Sequence, residues 1–290
     1  MYQIISDGGI DFSPHEREQY NVHVVPFYIT FDQVNFLKEG VDITAEAYFH
    51  RLSTEKNLFP KTSQPNPQDW VDAFTPFLEA GKDLLVLTIS SKLSGSHASA
   101  LIAIDLVKED FPDRKITIID SQNVTIGQGL IMREIIKMRD AGLTLHQTEA
   151  AAKEILGTTR IYFTLDTLEY LKRGGRVGPT TALVGGILGL RPILQVENGE
   201  VSQLDNVRGK KKAMKLIEEA IIDTLKDEVQ NISIAIGHIT SEQEAIDFKA
   251  NVETALNTKI ETPITAVGVT IGTHAGPGAL AFAYCKKYKG

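Results

Sequence analysis

The sequence predicts an α/β protein in two parts, the first built on a mostly parallel sheet flanked by helices. Two observations lead there. Short apolar runs of strand length alternate with helix-like segments, the pattern of βα units and a parallel sheet. These runs also end in polar turns, and open α/β sheets bind ligands beyond the carboxyl ends of their strands. Residues 83–100 are the clearest case. Residues 83–89 are continuously apolar after Asp83, as in a strand buried on both faces. The polar turn Ser90-Ser91-Lys92-Leu93-Ser94-Gly95-Ser96 follows, then an Ala-rich segment at helical spacing. Ser94 suits a helix cap, and the same turn suits an anion held by hydroxyls and free backbone N–H groups.

In chain order, residues 2–6 predict a strand ending at Asp7-Gly8-Gly9, and 22–31 a second strand rich in β-branched and aromatic residues. Thr44 caps a helix to about residue 52. Residues 61–67 (Lys-Thr-Ser-Gln-Pro-Asn-Pro) form a rigid extended loop, and Pro67 opens a helix over 67–79 with Trp70, Ala73, Phe74 and Phe77 inward. Residues 115–119 are a strand, 125–141 a long helix and 142–156 another. A boundary after Gly157 divides the chain into residues 1–157 and a smaller α/β domain, 158–290. The second part reads as a strand at 160–165, a helical turn at 166–171 and an apolar, Gly-punctuated run at 180–190. A hairpin turns at Asn198-Gly199, and helices cover 208–225 and 241–256, with a strand at 232–238 between them. A strand over 264–271 enters the turn Gly272-Thr273-His274-Ala275-Gly276-Pro277-Gly278, and a helix over 279–287 follows.

The 290 residues, 42% hydrophobic and 23% charged, fit a soluble globular protein with a substantial core. A net charge of −7 argues against a broad nucleic-acid-binding face. One cysteine, Cys285, permits no intrachain disulfide. Nothing at the N-terminus resembles a secretory signal, and no apolar stretch approaches membrane-spanning length. A cytoplasmic protein is expected. Phosphate-loop, nucleophile-elbow and dinucleotide fingerprints are absent, as are C-x-x-C and metal-ligand histidine spacing. Neither metal nor cofactor is expected.

The turn holding His274 has the layout expected of the Ser94 turn, which suggests one site between the two parts. Thr62, Ser94 and His274 together would make a compact donor set for a carboxylate or phosphate. Arg173, Arg176 and Arg208 lie in or beside Gly-containing loops and suit pairing with a partner's carboxylates or phosphates. The run containing Leu183, Ile187 and Leu188 suits a core or the lining of a tunnel for an apolar tail.

Seven segments in this order resemble the DegV family of bacterial fatty-acid-binding proteins: Ser6-Asp7, Thr62-Ser63-Gln64-Pro65, Ser90-Ser91-Lys92-Leu93-Ser94-Gly95, Asp120-Ser121, residues 168–176, Val207-Arg208-Gly209 and residues 272–280. Gly8-Gly9 departs from the family's Ser-Thr, so that loop brings no such hydroxyls. The resemblance implies two α/β domains with a long-chain fatty acid between them, its carboxylate on Thr62, Ser94 and His274 and on the N–H near Gly95. It also implies a non-catalytic subunit of a fatty acid kinase. A separate ATP-binding partner would phosphorylate the acid, and the acyl phosphate would feed phospholipid synthesis. Transient contact with a membrane surface would allow exchange, through a segment near residues 185–189. Two other functions stay open: a stand-alone hydrolase or phosphotransferase using Ser94, and a carrier of another anionic amphiphile.

Overall fold

The structure, a computed structural model, describes residues 2–55, 58–177 and 190–290. The first elements are β1 (Gln3–Asp7), α1 (Pro14–Gln19), β2 (Val22–Val25), β3 (Tyr28–Thr30), β4 (Phe36–Lys38), α2 (Ala45–Thr54) and β5 (Lys61–Ser63). Next come α3 (Pro67–Glu79), β6 (Leu84–Thr88), α4 (Ser96–Val107), β7 (Ile116–Asp120), α5 (Thr125–Asp140) and α6 (Leu145–Thr158). Then follow β8 (Arg160–Thr164), α7 (Glu169–Gly174), β9 (Leu190–Glu197), β10 (Glu200–Arg208) and α8 (Lys210–Leu225). The last are β11 (Ile232–His238), α9 (Glu242–Ala255), β12 (Thr265–Ala266), α10 (Val269–Ala275) and β13 (Leu280–Lys286).

Strands β2-β1-β6-β7 form an all-parallel sheet in that order. Its inner strands, β1 and β6, are buried throughout, which is why their sequences are apolar without alternation. Ile5, Leu84 and Val86 face Trp70 and Phe74 of α3 and Ala103 of α4. Ile4, Leu85 and Leu87 face the opposite way, into the core that holds α5. The second sheet runs β10-β9-β8-β13-β11-β12, antiparallel except for β11 with β12. Asn198 and Gly199 both take positive φ, as a tight two-residue hairpin turn demands.

Several expected elements change. The strand expected over 22–31 breaks at Pro26, which has no N–H for a ladder, and its halves join different sheets. The second half, β3, is the centre of a third sheet, β4-β3-β5, which the sequence did not reveal. Residues 61–63, expected as a loop, are its edge strand β5.

At the C-terminal end, a strand was expected over 264–271 and a helix over 279–287; the order is reversed. Only Thr265–Ala266 pairs as strand, and Val269–Ala275 is helix α10. Its β-branched residues are weak helix formers, but its start is held from afar. The Gly268 N–H donates to Asp11 Oδ1 at 3.0 Å, and the Val269 and Thr270 N–H groups donate to Glu39 Oε1. Two buried acidic side chains thus accept from the unpaired donors of the helix start. The Ala-rich segment 280–286 is a central strand. Ala281, Ala283 and Cys285 turn towards α5, while Leu280, Phe282 and Tyr284 turn towards α8 and α9.

Helix α5 lies between the two larger sheets, with thirteen of its sixteen residues buried. An added Cβ at Gly127 would stand 2.6 Å from Ile161 of β8, and one at Gly129 2.9 Å from the Ile10 carbonyl. The two glycines therefore let both neighbours close on the helix. Ala283 is fully buried against this core. Ala283→Leu is expected to destabilise the protein by about 1–3 kcal/mol through overpacking, read as a lower urea midpoint with an unchanged slope.

Candidate functional site

Three distant segments meet at a cavity of about 230 Å³. Thr62 on β5, Ser94 in the turn after β6 and His274 in the last turn of α10 all line it. Pairing of Thr62 with Ile29 brings β5 into place. Asp7, buried at the end of β1, fixes the Ser94 turn from both sides, accepting the Ile89 N–H at 2.9 Å and the Ser96 hydroxyl at 2.7 Å. His274 is placed by α10, and so by the Asp11 and Glu39 carboxylates at the far end of that helix.

Thr62 Oγ1 and His274 Nε2 are 2.8 Å apart. His274 Nδ1 is buried without a partner, against Gly174, where an added Cβ would sit 2.1 Å from that nitrogen. An orphaned buried N–H is rarer than an under-used acceptor. The imidazole proton is therefore assigned to Nε2, donating to Thr62, which leaves the threonine's own O–H free for a ligand. Ser94 repeats the arrangement: its Oγ accepts the Ser96 N–H at 3.2 Å and keeps its proton to donate. Burial, and then the positive charge of Arg176, lowers the His274 pKa to about 4, so the ring is neutral at pH 7. Arg176 lines the same cavity, steadied by the carbonyls of Leu93 and Gly174 at 3.2 and 2.5 Å. Beyond this polar end the walls are apolar, with Phe27, Ile89, Ile161, Phe163, Val196 and Val267.

Thr62, Ser94 and His274, expected from the sequence, are thus brought together. Gly95 is the N-cap residue of α4 and lies under Gln64, whose amide oxygen would be 2.4 Å from an added Cβ. Arg176, expected to dock a partner, lines the cavity itself. Arg173 is exposed, paired with Glu169 at 2.7 Å and stacked over the Phe59 ring. It shares with Lys61 and Arg176 an outer groove behind the Thr62–His274 pair. Arg208 ends β10, exposed, and lines neither cavity. Leu183, Ile187 and Leu188 lie outside the described residues. The sequence did not single out Gly174, which sits within residues 168–176, nor Thr125, which carries no motif at all.

Hydroxyl donors, a neutral imidazole and a guanidinium on the wall of an otherwise largely apolar cavity have the chemistry to suit an anionic amphiphile. Among the described residues no group of three or more His, Cys, Asp or Glu side chains is placed to hold a metal, and no helix is long and apolar enough to cross a membrane. The chain belongs to the DegV family, whose model, described as an uncharacterised protein family, matches residues 1–287. A DegV domain-containing protein of Clostridium acetobutylicum is 34% identical, covering 92% of this chain and 91% of its own. A stearic acid-binding protein from Eubacterium ventriosum superposes with a TM-score of 0.94 at 32% identity, over 99% of each chain. A Thermus thermophilus DegV family protein, described as binding fatty acid, gives 0.88 at 29% identity, over 98% of this chain and 99% of its own.

Gly174→Ala would push a methyl group into the His274 ring. It should weaken binding of an anionic ligand about tenfold or more while leaving the unfolding transition cooperative, as titration calorimetry and urea unfolding would show. The low His274 pKa has its own signature. The unfolded chain takes up this proton near pH 6.5, the folded chain only near 4. Stability from this group is therefore full above pH 6.5 and is lost as pH falls to about 4. Relative to His274→Gln, the ligand-free wild type should lose up to about 3 kcal/mol over that window, measured by urea unfolding at stepped pH.

Proposed function

We propose that this protein binds one long-chain fatty acid between residues 1–157 and 158–290. The carboxylate would rest on Thr62, Ser94 and His274 and on backbone N–H near Gly95, with Arg176 supplying positive charge. The observation that carries the proposal is the paired Thr62–His274 contact, facing Ser94 at the polar end of an apolar cavity. Each methylene buried there would contribute about 0.8 kcal/mol, so the tail supplies most of the affinity and the donors set its direction. That relatives superposing over nearly the whole chain are described as fatty-acid-binding supports the same choice of ligand.

The bound acid would be presented to a separate ATP-dependent kinase subunit that forms the acyl phosphate used in phospholipid synthesis. A carboxylate is already ionised near neutral pH and needs no general base to attack a phosphoryl group, which suits a neutral His274 acting only as a hydrogen-bonding group. Nucleotide and metal positioning, the main work of phosphoryl transfer, would fall to the partner. Arg173 and Lys61 in the groove behind the carboxylate site give that partner a basic surface. Autonomous serine catalysis has less support. His97 Nδ1 bonds Thr88 Oγ1 at 2.9 Å and His274 bonds Thr62, so neither histidine is hydrogen-bonded to Ser94.

Mass spectrometry of an organic extract, paired with native intact mass, should find one fatty acid per chain. A lipid-free protein that takes up no added acid would overturn the proposal. Ser94→Ala, Thr62→Ala and His274→Ala should each lower affinity for the acid by about tenfold, the scale of one lost hydrogen bond to a charged group. Arg173→Ala should leave binding intact and reduce partner-dependent phosphorylation.

A further inference from the structure

We propose that the cavity selects an acyl chain bearing an oxygen function along its length, a hydroxy fatty acid, through the hydroxyl of Thr125 at the start of α5. The inference rests on the fatty-acid function above and adds to it the chemical class of the chain. Thr125 is 6% exposed and lines the cavity, yet its Oγ1 makes no hydrogen bond. Buried hydroxyls are almost always paired, and one left bare beside a cavity marks a group awaiting a ligand. The other threonine at this depth is not available, since the Thr270 hydroxyl is held by Glu39 Oε2 at 2.5 Å. The apolar residues Val124, Ile161 and Val267 line the same cavity. A chain oxygen there would therefore find Thr125 as its partner.

Two further features act at the same point. No side chain caps the start of α5, a sixteen-residue helix whose positive end favours a lone pair. Thr125 is also held at φ 46°, a conformation that β-branched residues rarely adopt. The competing partner inside the protein is Asp11. The Thr125 hydroxyl lies close enough to favour ionisation of that carboxyl, but Asp11 Oδ2 also lacks a hydrogen bond. Thr125 Oγ1 is thus left without a hydrogen bond on the cavity wall. An unsubstituted chain leaves it bare, whereas a chain hydroxyl offers it both a donor and an acceptor.

The test is competition binding on the delipidated full-length protein, displacing stearate with the positional isomers of hydroxystearic acid. One isomer, or two neighbouring ones, should bind about tenfold more tightly than stearate. Thr125→Val, which keeps the shape and removes the hydroxyl, should abolish that preference and bring the isomers level with stearate, while Thr125→Ser should retain it. Thr125→Ala serves as a second hydroxyl-free variant should the valine substitution impair folding. Equal ranking of isomers in wild type and hydroxyl-free variants, with stearate still bound, overturns this inference alone. Failure of stearate and every isomer to bind overturns the fatty-acid function and this inference with it.

Discussion

The placement of α5 between two sheets is the constraint on which the rest of the structure depends. A helix buried on nearly every side needs close neighbours on both, and Gly127 and Gly129 permit this, one towards β8 and the other towards the turn after β1. A methyl group added at Gly127 would have to move Ile161 of β8, and one at Gly129 the Ile10 carbonyl. On the opposite side of the six-stranded sheet the interior is more conventional. Phe282 meets Phe248 edge to face with centroids 6.2 Å apart, and α8 and α9 cover the large side chains. The strand between these layers must therefore be small on one side and large on the other, and β13 is.

The cavity opens where α5 begins, and its chemistry follows from the same geometry. Val124 and Thr125 at the helix start share it with the ends of β6, β8 and α10. Its polar groups need no charged acid or base at neutral pH. The Thr62 and Ser94 hydroxyls each accept one hydrogen bond from the protein and so retain a proton to give. Such donors suit a group that arrives already negative. Arg176 is the one cation on the cavity wall among the described residues, and its positive charge also disfavours a second proton on His274.

The Asp11 and Glu39 carboxylates tie this site to the rest of the molecule. Burial first, and then the nearby charge of Glu39, pushes the Asp11 pKa up to about 8. The Gly268 N–H offsets part of that burial for Asp11, as the Val269 and Thr270 N–H groups do for Glu39. The helix that presents His274 is thus anchored by side chains more than two hundred residues away in the chain.

Much of the first part was legible in the sequence because its elements are specified locally. The apolar run into Ser90–Ser96 needs only knowledge of a buried parallel strand, and Pro67 with its capping Asn66 sets α3 without outside help. Thr62, Ser94 and His274 were singled out as residue types in expected turns; the fold lines one cavity with all three, but places Thr62 on β5 and His274 in α10. What the sequence could not decide lay where distant groups override local preference. Residues 279–287 are rich in alanine, a good helix former, and their alternation acquires meaning only when α5 lies on one side and α8 with α9 on the other. Residues 264–271 are rich in β-branched side chains and favour a strand, yet two remote carboxylates make α10 begin within them. Gly174 against His274, Arg176 on the cavity wall and the unpartnered hydroxyl of Thr125 are contacts between segments that no spacing along the chain encodes. The sequence determined the local elements and the donor chemistry; tertiary packing decided which of them meet.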